Sequence, residues 1–144
     1  MSRYWLAVVA ALFLLSACEK NPDEQFLVDN AKREGVVETE SGLQYEVIRE
    51  GSGPKPTLAN NVTVHYEGKL IDGTVFDSSY ERGEPISFPL GGVVKGWKEG
   101  LRLMPVGSEY NLYVPADLGY GDRASGPIPA NSTLIFRVEL LRIQ

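Results

Sequence analysis

The stretch that decides the fold is Val62-Thr63-Val64-His65-Tyr66-Glu67-Gly68, in which Val62, Val64 and Tyr66 alternate with Thr63, His65 and Glu67. A period of two marks a strand that buries one face, because successive side chains leave a pleated sheet on opposite sides. The same period returns upstream at Leu43, Tyr45 and Val47. Downstream it recurs at Ile86, Phe88 and Leu90, at Tyr110, Leu112 and Val114, and at Leu134, Phe136, Val138 and Leu140. Five strands are expected. Asp72-Gly73 supplies a hairpin turn before Val75. Trp97, Gly100, Leu101 and Met104 fall on one face of a single short helix that Pro105 stops. A small antiparallel sheet that buries one face needs a cover, and within this segment the helix is the regular element able to provide it. The expectation is an α+β domain over residues 41–144.

Ahead of that segment the pattern changes twice. Arg3 precedes an apolar run from Tyr4 to Leu15, shorter than the roughly 20 residues of a membrane-spanning helix but suited to a signal-peptide core. Leu15-Ser16-Ala17-Cys18 follows, which resembles a bacterial lipobox. Cys18 is the one cysteine of the chain, so it cannot form an intramolecular disulfide, and lipidation explains both its position and its solitude. We therefore expect a signal peptide at 1–17 and lipid attachment at Cys18. Each buried methylene of the acyl chains adds about 0.8 kcal/mol, which ties the protein to a membrane without spanning it. Glu19 stands where an aspartate would favour retention at the inner membrane. The expected location is the bacterial cell envelope, lipid-anchored, at the outer membrane facing the periplasm. Residues 18–40 read as a lipidated spacer with a short helix, since Phe26, Leu27, Asn30 and Ala31 recur at helical spacing before Gly35.

The residues present exclude several chemistries. A formal charge of −5 over 144 residues argues against a nucleic-acid ligand, whose phosphates demand a basic face. With one His, one Cys, no Gly-rich phosphate loop and no His and carboxylate cluster at ligand spacing, metal hydrolysis, nucleotide binding and thiol chemistry are not expected. No cofactor or metal is expected. His65, mid-strand opposite Val64 and Tyr66, reads as a surface or structural histidine. What remains is aromatic and apolar.

Five segments occur in one order: Val64-His65-Tyr66-Glu67-Gly68, Gly73-Thr74-Val75-Phe76-Asp77-Ser78-Ser79, Val93-Val94-Lys95-Gly96-Trp97, Leu118-Gly119-Tyr120-Gly121 and Asn131-Ser132-Thr133-Leu134-Ile135-Phe136. Together they resemble the FKBP-type peptidyl-prolyl cis-trans isomerases, over the chain from about Ser41 to its end. The lead-in Gly35-Val36 through Ser41-Gly42-Leu43-Gln44-Tyr45 is similar to the secreted bacterial members of the macrophage infectivity potentiator group, whose long dimerising N-terminal region has no counterpart in this sequence. The resemblance implies the FKBP-like fold, an antiparallel five-stranded half-barrel sheet wrapped around one short helix. It also implies a site. Trp97 would floor an apolar pocket walled by Tyr66, Phe76, Ile86, Val93, Val94, Ile128 and Phe136. Tyr66, Asp77 and Tyr120 would be its catalytic polar groups, and Arg82 would order the loop holding Asp77. Proline-containing polypeptides would be the substrates, and macrolides such as rapamycin or tacrolimus the inhibitors. Three departures bear on substrate preference and macrolide affinity: Ile86 in place of an aromatic, a short loop from Leu90 to Val93, and the loop from Asp122 to Pro129 with Ser125 near the position of a histidine. Taken without the motif, Trp97, Phe136, Val93 and Val94 read as core, and Tyr66 and Tyr120 read equally as structural tyrosines. The rival functional readings are a non-catalytic chaperone or adaptor that holds proline segments, and a structural envelope lipoprotein. Asp77 and Tyr120 beside Trp97 favour the enzyme.

Overall fold

The computed structural model describes residues 21–144. Strand β3 (Asn61–Lys69) lies inside the sheet, as its alternation requires. Along one edge it pairs with β7 (Leu134–Ile143); along the other it pairs in succession with β5 (Ile86–Pro89) and β4 (Val75–Ser78). β7 continues into β6 (Glu109–Val114), β6 into β2 (Gln44–Arg49), and β2 into β1 (Val36–Glu38), every pair antiparallel. Three α-helices, α1 (Pro22–Ala31), α2 (Ser79–Arg82) and α3 (Lys95–Arg102), and two short 3-10 turns complete the described chain. No helix among the described residues is long and apolar enough to cross a membrane. The segment 1–17, Cys18 and the lipid-anchoring expectation lie outside the described residues.

The sheet has seven strands, not five. The two that periodicity misses are β1, whose three residues are too few to show an alternation, and β4, which has four and is joined to β3 by the expected Asp72-Gly73 turn. The sheet therefore begins at Val36, ahead of residue 41.

Residues of one parity on β3, β6 and β7 enclose the core: Val62, Val64, Leu112, Val114, Leu134, Val138 and Leu140 have no appreciable exposure. Helix α3 covers them with Trp97 and Leu101. It ends at Arg102, so Met104 is buried just beyond the helix. Two glycines set the distance of this helix from the sheet. A Cβ on Gly96 would stand 2.6 Å from Val114 Cγ1, and one on Gly100 would stand 2.7 Å from Leu112 Cδ1, both well inside an ordinary carbon contact of about 3.5–4.0 Å.

Helix α1 starts with Asn21 capping the Glu24 amide and Pro22 in its first turn, where a missing N–H costs nothing. Its seating on the domain is largely polar. Gln44 Nε2 donates to the Leu27 carbonyl at 2.8 Å, Asn30 Nδ2 donates to Gln44 Oε1 at 2.8 Å, and Arg33 reaches both Tyr113 and Glu46. Phe26 adds an aromatic contact to Tyr113 at 6.1 Å between ring centroids.

Candidate active site

The chain between β3 and α3 wraps around one end of the sheet and leaves an apolar cleft of about 430 Å³. It is lined by Tyr66, Phe76, Asp77, Ile86, Phe88, Gly92, Val93, Val94, Trp97, Tyr120 and Phe136. Each element contributes by its own register. Tyr66 is on the core-facing parity of β3, Phe76 and Asp77 are on β4, Ile86 and Phe88 are alternate residues of β5, and Phe136 is on β7. Val93 and Val94 lead into α3, whose first turn holds Trp97. Val94 caps α3 without a side-chain hydrogen bond, and its carbonyl accepts the Trp97 and Lys98 N–H groups at 3.0 and 3.1 Å.

The aromatic groups meet edge to face. The Trp97 ring lies 5.1 Å from Tyr66 at 87° and 5.1 Å from Phe136 at 85°, and Phe76 meets Phe136 at 5.7 Å and 89°. Such pairs add about 0.5–1.5 kcal/mol beyond their area. Gly68 makes this cluster possible, since a Cβ there would lie 2.6 Å from Phe76 Cζ and 2.8 Å from Phe136 Cε1. Trp97 Nε1 is buried and has no hydrogen-bond partner. An orphaned donor of this kind is rare in a packed interior, and here it belongs to the indole that lines an open cleft.

At the rim the polar groups are coupled. Tyr66 Oη donates to Asp77 Oδ2, and Arg82 Nη1 donates to Asp77 Oδ1. Burial works against the Asp77 carboxylate, but the Tyr66 hydroxyl and the Arg82 guanidinium outweigh it and hold its carboxyl below the ordinary range. Burial, then the hydrogen bond to Asp77, pushes the Tyr66 phenol up. Both residues therefore keep their charge states at neutral pH. Tyr120 stands at the edge with 43% of its surface exposed. Behind the cleft Ser79 Oγ accepts the Tyr66 N–H at 2.7 Å and bonds His65 Nδ1 at 2.8 Å, and the His65 ring stacks on Tyr80.

Of the residues expected in the site, the structure gathers Tyr66, Phe76, Asp77, Ile86, Val93, Val94, Trp97, Tyr120 and Phe136 around one space. One is placed differently: Ile128 is not among the lining residues, and it is buried in a turn closed by reciprocal hydrogen bonds with Ser125. Arg82 lies outside the lining and reaches Asp77, the contact that a residue ordering the Asp77 loop requires. Phe88, the wall next to Trp97 at 5.5 Å, is missed as a site residue, although its alternation with Ile86 is the signal that puts both on one face. Among the described residues no group of three or more His, Cys, Asp or Glu side chains could hold a metal ion.

Residues 53–141 match the model of the FKBP-type peptidyl-prolyl cis-trans isomerase family, and residues 15–47 match the domain amino terminal to it. The FKBP-type 22 kDa peptidyl-prolyl cis-trans isomerase of Escherichia coli strain K12 is 58% identical over 120 residues, covering 83% of this chain and 58% of that protein. The outer membrane protein MIP of Legionella longbeachae is 48% identical over 126 residues, covering 87% and 54%. The crystal structure of FkpA from Escherichia coli superposes with a TM-score of 0.83 at 44% identity, over 85% of this chain and 57% of that one. The chain spans about half the length of the curated relatives it matches.

Proposed function

This chain belongs to the FKBP-type peptidyl-prolyl cis-trans isomerases, and from that premise we propose that it accelerates rotation about X-Pro peptide bonds and so assists protein folding. The observation that carries the reading is the open cleft floored by Trp97 and bordered by Tyr120 and by the Tyr66, Asp77 and Arg82 cluster.

The task is modest in energy. An X-Pro bond crosses a barrier near 20 kcal/mol and takes roughly 10–100 s unaided. A turnover of about 10 per second requires three decades, or roughly 4 kcal/mol. The proline ring rests against Trp97 between Phe76, Phe136 and the β5 wall. The planar amide is the more polar form and loses more on leaving water, so an apolar cleft favours the twisted transition state. The Tyr120 hydroxyl donates to the substrate carbonyl, and the field of ionised Asp77, acting at low dielectric, favours the twisted form further. No proton is transferred and no covalent bond is made.

The remaining expectations are proposals of the same kind. Macrolides such as rapamycin or tacrolimus would compete for the cleft, with an affinity that depends on Ile86 standing in place of an aromatic wall. Names such as outer membrane protein MIP among the relatives support an envelope location, and the lipobox supports attachment through Cys18 at the outer membrane, facing the periplasm. Metabolic labelling with a radioactive fatty acid should mark the wild-type chain and not Cys18→Ser; label retained in the variant, or absent from the wild type, would overturn the anchor.

A proline-limited refolding assay tests the activity. The mature chain should accelerate the slow phase, and Asp77→Ala combined with Tyr120→Phe should abolish most of that acceleration. No acceleration by the wild type, or no loss in the double variant, would sink the enzymatic reading.

A further inference from the structure

The polar seat of α1 has a consequence at its N-terminal end, where it meets the loop that carries Tyr120. Asp23, in the first turn of α1, accepts the Thr133 N–H at Oδ1 over 2.8 Å, and Thr133 Oγ1 donates to the Asp23 carbonyl at 3.3 Å. Thr133 is 1% exposed, so water cannot easily replace either contact. It immediately precedes β7 and stands three residues before Phe136, a wall of the cleft.

The other end of the same loop is also pinned. The Asn131 N–H donates to the Gly121 carbonyl at 2.7 Å, with Asn131 held at φ 60°, and the Gly121 N–H donates to the Ala116 carbonyl at 2.7 Å. Gly121 directly follows Tyr120. The chain that presents the Tyr120 phenol is therefore fixed at two points. One is within the loop, and the other is supplied by a helix that contributes no residue to the cleft.

We infer that Asp23 is a positioning residue for the isomerase reaction: by holding Thr133 it fixes the loop that presents Tyr120, so the helix that leads into the domain tunes the cleft. This rests on the isomerase reading above and adds a residue to it from outside the strand-bearing segment. The hydrogen bond matters here, not the charge, because what Thr133 needs is an acceptor.

The test is a double-mutant cycle in the full mature chain, followed by proline-limited refolding at a temperature where every variant is folded by circular dichroism. Asp23→Ala should lower kcat/KM about 3- to 10-fold, chiefly through KM, because a displaced Tyr120 weakens a contact made in both ground and transition states. Asp23→Asn, which keeps an oxygen acceptor at the same place, should restore activity to within about twofold. In a Tyr120→Phe background the effect of Asp23→Ala should shrink to less than about 1.5-fold, since no hydroxyl remains to be misplaced. A general loss of fold would instead multiply with Tyr120→Phe and would not be rescued by Asn. An unchanged kcat/KM in Asp23→Ala, or an undiminished effect beside Tyr120→Phe, overturns the inference while leaving the isomerase reading standing. An inactive wild type overturns both.

Discussion

Gly68→Ala is a one-carbon perturbation whose effect can be worked from the geometry of the cleft. The added Cβ would meet Phe76 Cζ at 2.6 Å, Phe76 Cε2 at 2.7 Å and Phe136 Cε1 at 2.8 Å, each roughly 1 Å inside an ordinary carbon contact. Gly68 does not use a positive φ, so backbone strain plays no part, and alanine in a strand interior would by itself gain about 0.5–1 kcal/mol over glycine. Overpacking costs about 1–3 kcal/mol, leaving a net destabilisation of about 1 kcal/mol. For a domain of this size that lowers Tm by roughly 3–6 °C. The rings give way by moving toward the open side, which is the cleft. Substrate binding should suffer more than stability: kcat/KM in proline-limited refolding should fall about 5- to 10-fold, mostly in KM. Trimming the struck ring, as in Gly68→Ala with Phe76→Leu, should recover Tm without recovering the wall. Wild-type kcat/KM and Tm in Gly68→Ala would refute the claim that this glycine is what allows the two phenyl rings to form the cleft.

Two further expectations concern the rim and a third the core beneath α3. Asp77 has a depressed pKa and Tyr66 a raised one, so both keep their charge states and kcat/KM should stay flat from about pH 5 to about pH 9. The stabilising contribution of Asp77 is complete above its unfolded pKa of about 3.9 and is lost only as pH falls through the lower folded value; a limb near neutrality would contradict this account. Arg82→Ala removes one of the two partners of Asp77 and with it part of what holds the Asp77 carboxyl low. The variant should lower kcat/KM and move its acid limb to higher pH, as a pH–rate profile would show. Leu101→Ala empties a fully buried site under α3 that is no part of the cleft. It should cost about 2–5 kcal/mol in urea unfolding, with near-normal kcat/KM measured well below Tm.

How much of this was legible in the sequence depended on the length over which each signal repeats. β3 and β7 have nine and ten residues, of which one parity is buried, and a period of two over such a run has no competing explanation. β1 and β4, with three and four residues, each pair with the strand next to them in sequence, and a run that short shows too few alternations for a period of two to be read. The site divides in the same way. Trp97, Phe136 and Tyr66 were legible because ordered motifs carry them. Phe88 was read only as strand, because what makes it a wall is the position of α3 across the sheet. Ile128 was expected in the wall, but the Ser125–Ile128 turn sends its side chain into the core. The contact between Asp23 and Thr133 spans 110 positions, and nothing in either residue's neighbourhood announces it.

The arrangement at the rim also decides what kind of catalyst the cleft can be. Both carboxylate oxygens of Asp77 are occupied, one by the Tyr66 hydroxyl and one by Arg82, and these contacts hold the carboxyl in its ionised form. To act as a base, Asp77 would have to surrender the bonds that keep it charged. The Tyr66 hydroxyl, committed to Asp77, cannot at the same time donate to a substrate carbonyl, so in the proposed reaction that role would fall to Tyr120 at the exposed edge. The cleft thus separates its polar work into a fixed charge and a hydrogen-bond donor, in a lining that also holds an indole and three phenyl rings. A reaction that only twists an amide asks for nothing more: a dry surface that disfavours the planar dipole, and preorganised groups that do not reorganise as the dipole shrinks.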